Sequence, residues 1–477
     1  MQKICVSLHL SDVSTHSELN QALITSRLEF ESQINNVADE PFIQLSLQGR
    51  PIDLLCKLVL SHPEFKDRHF FILLDEYENL LPYQQQVVNT LIKHTSGLYY
   101  FKIGVRELGW VCHNTLQDDE FLIHPADYAL VNIKDKLQGS TFLSFATNVC
   151  EKRLHRLQMS DQSFEITLNE ALPSLSIENE AILLGVEDES KIILNELGNK
   201  LQPNDYNIIA TMSPLEIYFL SSWAKSQQFL LTDIIHEIRS DPSSWKTRYE
   251  NYKYATLFSI RKRKRGIDKY YCGLETYANM AGGNIRYMLE LIDNSFLEHI
   301  RNGGNLNEHI SPETQTKAAR YVGSMNLTEL EGLSVSGAKL TKLIRALGRI
   351  FQFMAAQPFG HTPELNQFYL SDMTEPVKEI IRNAVMHLAL IRYPGTKLTG
   401  ETDTSHYDYA IHPIYSALFE ISVRRKRKME LTSPEFLMLI DSPEKAVEKL
   451  LRSQKRISES YIPGQRTLFS QSDDLDD

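Results

Sequence analysis

Cysteine is scarce in this sequence, and its few cysteines are not spaced to build a disulfide framework or a metal site. The 477 residues contain five cysteines and no Cys-x-x-Cys pair, at Cys5, Cys56, Cys112, Cys150 and Cys272. We therefore expect buried free thiols in a reducing compartment. Long apolar runs and a signal-peptide pattern are also missing, which predicts a cytoplasmic protein with no membrane partner.

Positive charge is outweighed by negative charge over the whole chain. The formal net charge is −11, which argues against a protein that coats nucleic acid over all of its surface. Between residues 139 and 250 we find no Ser-His-Asp, Cys-His or metal-ligand grouping, and no internal repeat is apparent. Hydrophobic residues make up 42% of the chain. That content can fill sizeable cores, and the length suggests about three domains.

The most informative segment is an apolar run that ends in two adjacent carboxylates, within His69–Leu80 (HFFILLDEYENL). A short apolar run bounded by charge predicts a buried strand of a parallel sheet. Folds of the α/β class place ligand chemistry at the carboxyl ends of such strands. Asp75 and Glu76 would then form a Walker B pair, with Asp75 holding Mg²⁺ through water and Glu76 polarising the attacking water. The alternative is a core strand followed by a helix start that one of the two carboxylates caps.

The segments around this run predict alternating strands and helices. Tyr83–Lys93 has apolar residues at helical spacing, and Leu98–Val105 (LYYFKIGV) predicts a second buried strand. Tyr128–Ile133 and Ile4–Leu10 are two further candidate strands. This alternation is typical of βαβ units with a parallel sheet. Further along the chain, the glycine pair in Ala281–Leu291 (AGGNIRYMLEL) predicts the cap of an amphipathic helix.

These segments carry a resemblance to a known family. The strings DEYENL, FKIGVRELGW at Phe101–Trp110 and GGNIRYMLELID at Gly282–Asp293 together resemble a bacterial AAA+ ATPase of the origin-recognition-complex (ORC) type. The resemblance implies ATP and Mg²⁺ as cofactors, a nucleotide between the sheet and a helical lid, and a homo-oligomer. It makes Arg106 the sensor 1 residue, with Glu107 a weaker match, and Arg286 the sensor 2 residue that reaches the γ-phosphate. The alternative for Arg286 is a surface arginine on the lid helix.

The sequence departs from this family at the phosphate loop. No Gly-x-x-x-x-Gly-Lys-Ser/Thr string occurs in it, and Gly395–Thr402 (GTKLTGET) places Glu401 where a lysine is needed. Ile4–Leu10 resembles the strand that follows the phosphate-loop helix, so we expect an amino-terminally truncated chain that lacks about 40–50 residues. Such a chain would leave strand edges unpaired and would hydrolyse no ATP by itself. A loop upstream of Met1 would make the native protein an ATPase.

Positive charge is concentrated in two unbroken runs, Arg261–Arg265 (RKRKR) and Arg424–Lys428 (RRKRK). Local clusters of this kind can neutralise phosphates even in an acidic protein, and solvated charge on loops is the alternative. We select the second run for contact with the phosphates of double-stranded DNA. It consists of Arg424, Arg425, Lys426, Arg427 and Lys428.

The second basic run closes a segment that resembles a winged-helix domain. Helical patterns at Leu340–Met354 and Val377–Leu390 accompany predicted strands at Ala389–Tyr393 and Tyr407–His412. ORC-type ATPases carry such a domain after the lid. A helix of that fold enters the major groove of DNA while the wing and basic residues hold phosphates. A winged helix that docks protein instead of DNA is the alternative.

The predicted fold is an α/β P-loop NTPase core with an amino-terminally incomplete AAA+-like parallel sheet, followed by an α-helical lid and a winged-helix domain. The domains are expected at residues 1–138, 139–305, 306–432 and 433–477. In the helical segment we expect Trp223 and Trp245 to be packing residues. The polar tail is expected to be disordered. Within it, Gln465, Leu468 and Phe469 of QRTLF resemble peptides that bind the sliding clamp of bacterial DNA polymerase.

Together these features predict an ATP-dependent DNA-binding switch protein of the initiator-like AAA+ class. Closure of the lid on ATP would reposition the winged helix on DNA, and hydrolysis would reset the state. The resemblance is consistent with service to a bacterial mobile element or to phage defence. The alternative is a non-catalytic winged-helix module that binds DNA or protein and carries a relic ATPase fold.

Overall fold

The chain forms two compact units, Met1–Val131 and Asn132–Asp477. The computed structural model describes residues 2–10, 13–35, 49–66, 68–160, 165–198, 201–260, 266–359, 364–395 and 407–453. Within these ranges the fold is mixed α/β, mostly helical, with two small sheets. No helix there has the length and apolar content needed to cross a membrane.

The first unit is built on a two-stranded parallel sheet. Residues pair in register from Phe70 with Tyr99 to Leu74 with Ile103. The helices and strands, in chain order, are α1 (Gln2–Ser7), α2 (His16–Asn35), α3 (Arg50–Leu60), β1 (Phe70–Leu74), α4 (Pro82–Lys93) and β2 (Tyr99–Ile103). The strands predicted at residues 70–74 and 98–105 and the helix predicted at residues 83–93 are therefore confirmed. Pro82 stands at the first helical position of α4, where its missing N–H costs nothing.

Two predicted strands of this unit are wrong. Ile4–Leu10 was expected as a strand, but residues 2–7 form α1, in which Ile4 and Cys5 are buried. A short apolar run has no period that separates a strand from a buried helical turn. Tyr128–Ile133 is irregular up to Asn132, whose side-chain oxygen accepts a hydrogen bond from Lys134 N and so starts a helix.

The second unit begins with a series of helices. In chain order they are α5 (Ile133–Lys136), α6 (Gly139–Ser160), α7 (Leu168–Ala171), α8 (Ile177–Leu183), α9 (Val186–Gly198), α10 (Pro203–Ala210), α11 (Pro214–Gln227), α12 (Leu231–Ser240), α13 (Pro242–Leu257), α14 (Leu274–Ala281), α15 (Ile285–Arg301), α16 (Pro312–Glu331) and α17 (Gly337–Ala356). Helices α9 to α13 enclose a core centred on the fully buried Phe219, against which Trp245 and Tyr252 pack.

A four-stranded sheet follows these helices. The remaining elements are β3 (Leu365–Leu370), α18 (Glu375–Met386), β4 (Leu390–Pro394), β5 (Tyr407–Ile411), α19 (Ser416–Phe419), β6 (Arg427–Leu431), α20 (Ser433–Asp441) and α21 (Pro443–Ser453). The strand order is β4-β5-β3-β6, with β5 antiparallel to both neighbours and β6 parallel to β3. The predicted hairpin strands are thus confirmed as β4 and β5, while β3 and β6 were not predicted.

The glycine pair before α15 has a different role from the one predicted. Gly282 ends α14 in the left-handed region, with φ of 58°. The cap of α15 is Asn284, whose Oδ1 accepts a hydrogen bond from Arg286 N at 2.9 Å. The sequence element therefore joins two helices at a sharp turn, with the glycine closing one helix and the asparagine opening the next.

Candidate nucleotide and nucleic-acid sites

The two predicted Walker B carboxylates lie at the carboxyl end of β1. Asp75 and Glu76 follow Leu74 directly, and both residues are exposed. The backbone here is tied to the end of β2, because Gly104 N donates to Leu74 O at 2.7 Å and Tyr77 N donates to Gly104 O at 3.1 Å. The parallel strands therefore hold the acidic pair beside the residues that follow β2.

Gly104 approaches Asp75 so closely that no larger residue fits there without a shift. A Cβ on Gly104 would lie 2.8 Å from Asp75 Oδ1, closer than real Cβ atoms come to other groups. No group of three or more His, Cys, Asp or Glu side chains in the described residues could hold a metal ion. Mg²⁺ in phosphate sites typically uses one or two carboxylates together with waters and phosphate oxygens. The exposed carboxylate of Asp75 fits that mode of binding.

Glu76 has an unusual backbone conformation and a fixed side chain. Its φ of 52° lies in the left-handed region, which few non-glycine residues adopt. Its Oε2 accepts a hydrogen bond from Asn79 Nδ2 at 3.1 Å. The turn that starts at Glu76 thus orients both carboxylates of the acidic pair.

Arg106, the predicted sensor 1 residue, lies at the same end of the sheet as the acidic pair. Its Nε is 3.0 Å from Glu78 Oε1, and its backbone N donates to Glu78 Oε2 at 3.1 Å. The Glu78 side chain is 5% exposed, whereas that of Arg106 is 50% exposed. Glu78 was not predicted, although an acidic residue three positions after Asp75 was visible in the sequence. Glu107, the weaker match, is exposed.

A buried polar network fixes the segment that follows Arg106. Gln85 and Asn89 of α4 are fully buried, and the hydroxyl of Tyr77 lies 3.3 Å from Asn89 Oδ1. Gln85 and Asn89 bond to the backbone of the segment at Gly109 O, Val111 N, Cys112 N, Cys112 O and Asn114 O. Since buried backbone groups need partners, these two amides position the chain after β2.

Arg286, the predicted sensor 2 residue, belongs to the second unit and is held by two carboxylates. Its Nε lies 2.6 Å from Glu290 Oε1 on α15, and its Nη2 lies 2.6 Å from Glu329 Oε2 on α16. These bonds to Glu290 and Glu329 raise the pKa of Arg286. The guanidinium therefore links the two helices, while the Arg286 side chain stays 58% exposed.

The first part of the basic run at residues 424–428 is packed on aromatic rings. The Arg424 guanidinium carbon lies 3.7 Å from the centre of the Tyr254 ring, and that of Arg425 lies 4.4 Å from the centre of the Tyr393 ring. Such cation–π contacts favour a fixed arginine side chain. These two arginines therefore help to hold the run on the fold.

The rest of the run lies at or in the edge strand β6. Lys428 Nζ lies 2.8 Å from Asp408 Oδ1 on β5, which compensates its charge. Lys426 and Arg427 are exposed. Of the five residues selected for DNA contact, these two present their charge most openly. The run at Arg261–Arg265 and the tail residues Gln465, Leu468 and Phe469 lie outside the described residues.

Comparison with known proteins gives one decisive match. A family model described as ORC-CDC6-like matches residues 1–431. The chain belongs to the ORC-CDC6-like family. No curated protein and no solved structure matches the chain. ORC-CDC6-like proteins are AAA+ ATPases, and they generally bind ATP with Mg²⁺, bind DNA and oligomerise.

The ORC-CDC6-like match covers the selected residues from Asp75 to Lys428, whereas Gln465, Leu468 and Phe469 lie beyond it. In this ORC-CDC6-like chain, the structure brings Asp75, Glu76 and Arg106 together at one sheet end. Arg286 and the basic run lie in the second unit. The family assignment supports the general fold, whereas the role of each residue is a proposal.

Proposed function

We propose that this protein is an ATP-controlled DNA-binding switch of the initiator-like AAA+ class. The observation that carries the proposal is the convergence of Asp75, Glu76 and Arg106 at the carboxyl ends of β1 and β2, where α/β folds bind ligands. Family membership supports ATP as the nucleotide. A role for a mobile element or in phage defence is part of the proposal and depends on the resemblance alone.

Each residue at this sheet end has a distinct proposed task. Asp75 would hold Mg²⁺ through water with its exposed carboxylate. Bound Mg²⁺ would neutralise charge on the phosphates. Glu76 would orient the attacking water once its carboxylate leaves Asn79. Arg106 would sense the phosphate from β2, with Glu78 holding its guanidinium and its backbone in place.

DNA would bind at the basic edge of the four-stranded sheet. Strands β3, β4 and β5 with helix α18 resemble the core of a winged helix, in which a hairpin flanks a DNA-contacting helix. Exposed Lys426 and Arg427 at the edge strand β6 would bind phosphates. Double-stranded DNA is the proposed partner, and oligomerisation follows the habit of the family.

A second candidate function is a non-catalytic DNA-binding or protein-interaction module with a relic ATPase fold. The observation that favours it is the engagement of Arg286 by Glu290 and Glu329. An arginine held by two carboxylates serves as a structural link between α15 and α16. In that case its resemblance to a sensor 2 residue reflects ancestry and no present contact with nucleotide.

Calorimetric titration with Mg-ATP and an assay of phosphate release separate the two candidates. If the switch proposal is correct, the wild type binds Mg-ATP although it carries no Gly-x-x-x-x-Gly-Lys-Ser/Thr string. Any phosphate that it releases then depends on Glu76, so Glu76→Gln binds Mg-ATP equally well and releases none. The matched control is Glu64→Gln, which removes an exposed carboxylate that precedes β1 and should leave phosphate release unchanged. A wild-type chain that binds no Mg-ATP would overturn the ATP part of the proposal and favour the second candidate.

The sliding clamp of DNA polymerase is a further proposed partner, through the sequence QRTLF at Gln465–Phe469. Leu468 and Phe469 would fill an apolar pocket of the clamp, and Gln465 would add directional hydrogen bonds. Replacing both Leu468 and Phe469 by alanine should abolish clamp binding in a pull-down titration. Unchanged clamp affinity of that variant would discard this partner.

A further inference from the structure

A cavity of about 460 Å³ opens at the start of α13 in the second unit. Its volume falls within the range of about 300–1,000 Å³ that is typical of small-ligand sites. Trp223 of α11 and Tyr252 of α13 contribute aromatic rings to its lining, and Asp241, Arg248 and Asn251 contribute polar groups. No task proposed above uses this cavity.

The aromatic rings of the cavity are held in place by their neighbours. Trp223 and Tyr252 meet edge to face, with ring centres 5.3 Å apart. Phe219 lies 5.9 Å from Trp223, and Phe359 stacks on Tyr252 at 6.2 Å with an interplanar angle of 15°. Trp223 and Tyr252 are only partly buried, unlike Trp245. Trp245 packs in the core as predicted, whereas Trp223 also offers surface to a ligand.

The charges inside the cavity compensate one another. The Arg248 guanidinium lies 5.0 Å over the Trp223 ring, and its Nη2 donates to Glu237 Oε1 at 2.9 Å. The Asp241 carboxylate accepts hydrogen bonds from the Ser243 hydroxyl at 2.7 Å and from a backbone N–H at 3.1 Å. A phosphate would gain little here, because a carboxylate and a paired arginine face it. A flat, neutral group with hydrogen-bonding edges suits the site better.

Helix α13, which lines the cavity, also contacts the basic run at residues 424–428. Tyr254 lies two positions after Tyr252 and therefore on a different face of α13, and the Arg424 guanidinium stacks on it at 3.7 Å. Burial raises the pKa of Tyr252, and the charges of Arg248 and Arg427 oppose that rise. Arg427 is therefore close enough to act on the Tyr252 hydroxyl. Helix α13 thus contacts the basic run on one face and lines the electrically balanced aromatic cavity on another.

We propose that this cavity binds an unpaired nucleobase of a single-stranded nucleic acid, whose phosphates contact Lys426 and Arg427. Aromatic platforms beside a basic track are the general means of binding single strands, because every base has a face that stacks. Asn251 and Asp241 would bond to the edge of the base. Binding of a single strand at this cavity rests on the proposed DNA-binding function, because both use the basic run. Only the binding of the single strand also requires the aromatic cavity.

The test measures the affinity of the full chain for a labelled oligothymidylate of about 15 nucleotides, a length within the range of single-strand sites. Fluorescence anisotropy gives the affinity, and a duplex of the same length is titrated in parallel. The variants are Trp223→Leu and Tyr252→Leu, which keep apolar bulk. The matched control is Phe229→Leu, because Phe229 is an exposed aromatic residue outside the cavity lining.

Trp223→Leu and Tyr252→Leu should each weaken binding of the single strand by roughly fivefold or more, given the usual strength of base–aromatic stacking. Duplex affinity should stay within about twofold, which also shows that the variants fold, and Phe229→Leu should match the wild type. Quenching of Trp223 fluorescence by the oligothymidylate in the Trp110→Phe, Trp245→Phe background would support stacking directly.

Three outcomes separate the two proposals. Wild-type affinity of both cavity variants for the single strand would overturn the cavity inference while leaving duplex binding intact. Equal loss of single-strand and duplex affinity would also overturn it, because no separate site would then exist. Binding of the single strand that depends on Trp223, without any duplex binding, would support the cavity and contradict the proposed duplex partner.

Discussion

At the scale of single residues, His412 shows how the sheet and the turn before α15 are fitted together. Its ring is buried, and a Cβ on Gly282 would lie 3.0 Å from His412 Cε1 and Nε2. The ring also meets Tyr287 of α15 edge to face at 5.0 Å. His412 Nδ1 accepts a hydrogen bond from Ile414 N at 3.2 Å. Glycine is required at position 282 both for its positive φ and for this close approach.

The burial of His412 predicts a stability that depends on pH. Burial, aided by the charge of Lys134, lowers the pKa of His412 to about 3. An unfolded histidine has a pKa near 6.5, so between these values only the unfolded chain binds the proton. Stability should therefore fall as pH decreases through this window, by about 2 kcal/mol between pH 7 and pH 5. Urea unfolding at the two pH values measures the change.

The control for this prediction is His412→Asn, which removes the titrating group and retains a side-chain oxygen that can accept from Ile414 N. The difference in unfolding free energy between pH 7 and pH 5 should shrink by about 2 kcal/mol in this variant. An identical pH dependence in wild type and variant would show that His412 does not titrate in this way.

At the scale of elements, the segment after β2 depends on two side-chain amides of α4. Gln85 accepts hydrogen bonds from Val111 N and Cys112 N and donates to Gly109 O. Gln85→Ala would leave the buried Gly109 O and the partly buried N–H groups of Val111 and Cys112 without this partner. The buried carbonyl should cost about 1–3 kcal/mol when unsatisfied, and the two partly buried N–H groups should add less. The midpoint of urea unfolding should fall clearly, and proteolysis near Trp110 should accelerate.

The adjacent Gln86 provides the control, because it is only partly buried on the same helix. Gln86→Ala should change the unfolding free energy by no more than about 0.5 kcal/mol, as surface substitutions usually do. If Gln85→Ala were as mild as Gln86→Ala, the amide network would not be what holds the segment.

The elements that the sequence predicted correctly have either apolar residues at a regular spacing or a short apolar run that ends in charged residues. The strand Phe70–Leu74 ends in charge, and α4 repeats its apolar residues at helical spacing. Strand β3 was missed because it carries buried Asn366 and Gln367. Strand β6 (RKMEL) was missed because a run of charged residues is more typical of a loop than of an edge strand. Their pairing is a tertiary effect that no local pattern encodes.

The site residues that were predicted and those that were missed differ in the same way, by the presence or absence of a local sequence pattern. Asp75 and Glu76 were predicted because they directly follow an apolar strand, and Arg106 was selected through the family resemblance. No local spacing in the sequence marks a polar residue that is buried or that pairs with a residue distant in the chain. For this reason the sequence did not predict Glu78, Glu329 or Gln85. The cavity beside Trp223 was also missed, since it needs α11 and α13 to meet in space.

At the scale of the whole molecule, the two units differ in how completely they bury their apolar residues. Strands β1 and β2 pair only with each other in the described ranges. Phe71 and Leu73 of β1 are 51% and 72% exposed. Parallel sheets are normally covered on both faces, and two strands alone give marginal stability. The first unit should therefore unfold more easily than the second.

The three tryptophans of the chain can report on the two units separately. Trp110 lies in the first unit, and Trp223 and Trp245 lie in the second. In the Trp223→Phe, Trp245→Phe variant, Trp110 fluorescence reports on unfolding of the first unit. In Trp110→Phe, the remaining tryptophans report on the second unit. The first midpoint should lie at a lower urea concentration than the second. Coincident midpoints with one cooperative transition would contradict independent units.

The salt dependence of duplex affinity tests most sharply whether double-stranded DNA binds through the basic run. Each phosphate contact that is lost should reduce the slope of log K against log salt by about 1. Lys426→Gln with Arg427→Gln should weaken duplex binding and lower the slope by about 2. Removing two exposed charges elsewhere, Lys191→Gln with Lys445→Gln, should leave the slope unchanged. Duplex binding through the basic run would be contradicted if the first variant kept the wild-type slope and affinity. It would also be contradicted if the wild type bound no duplex.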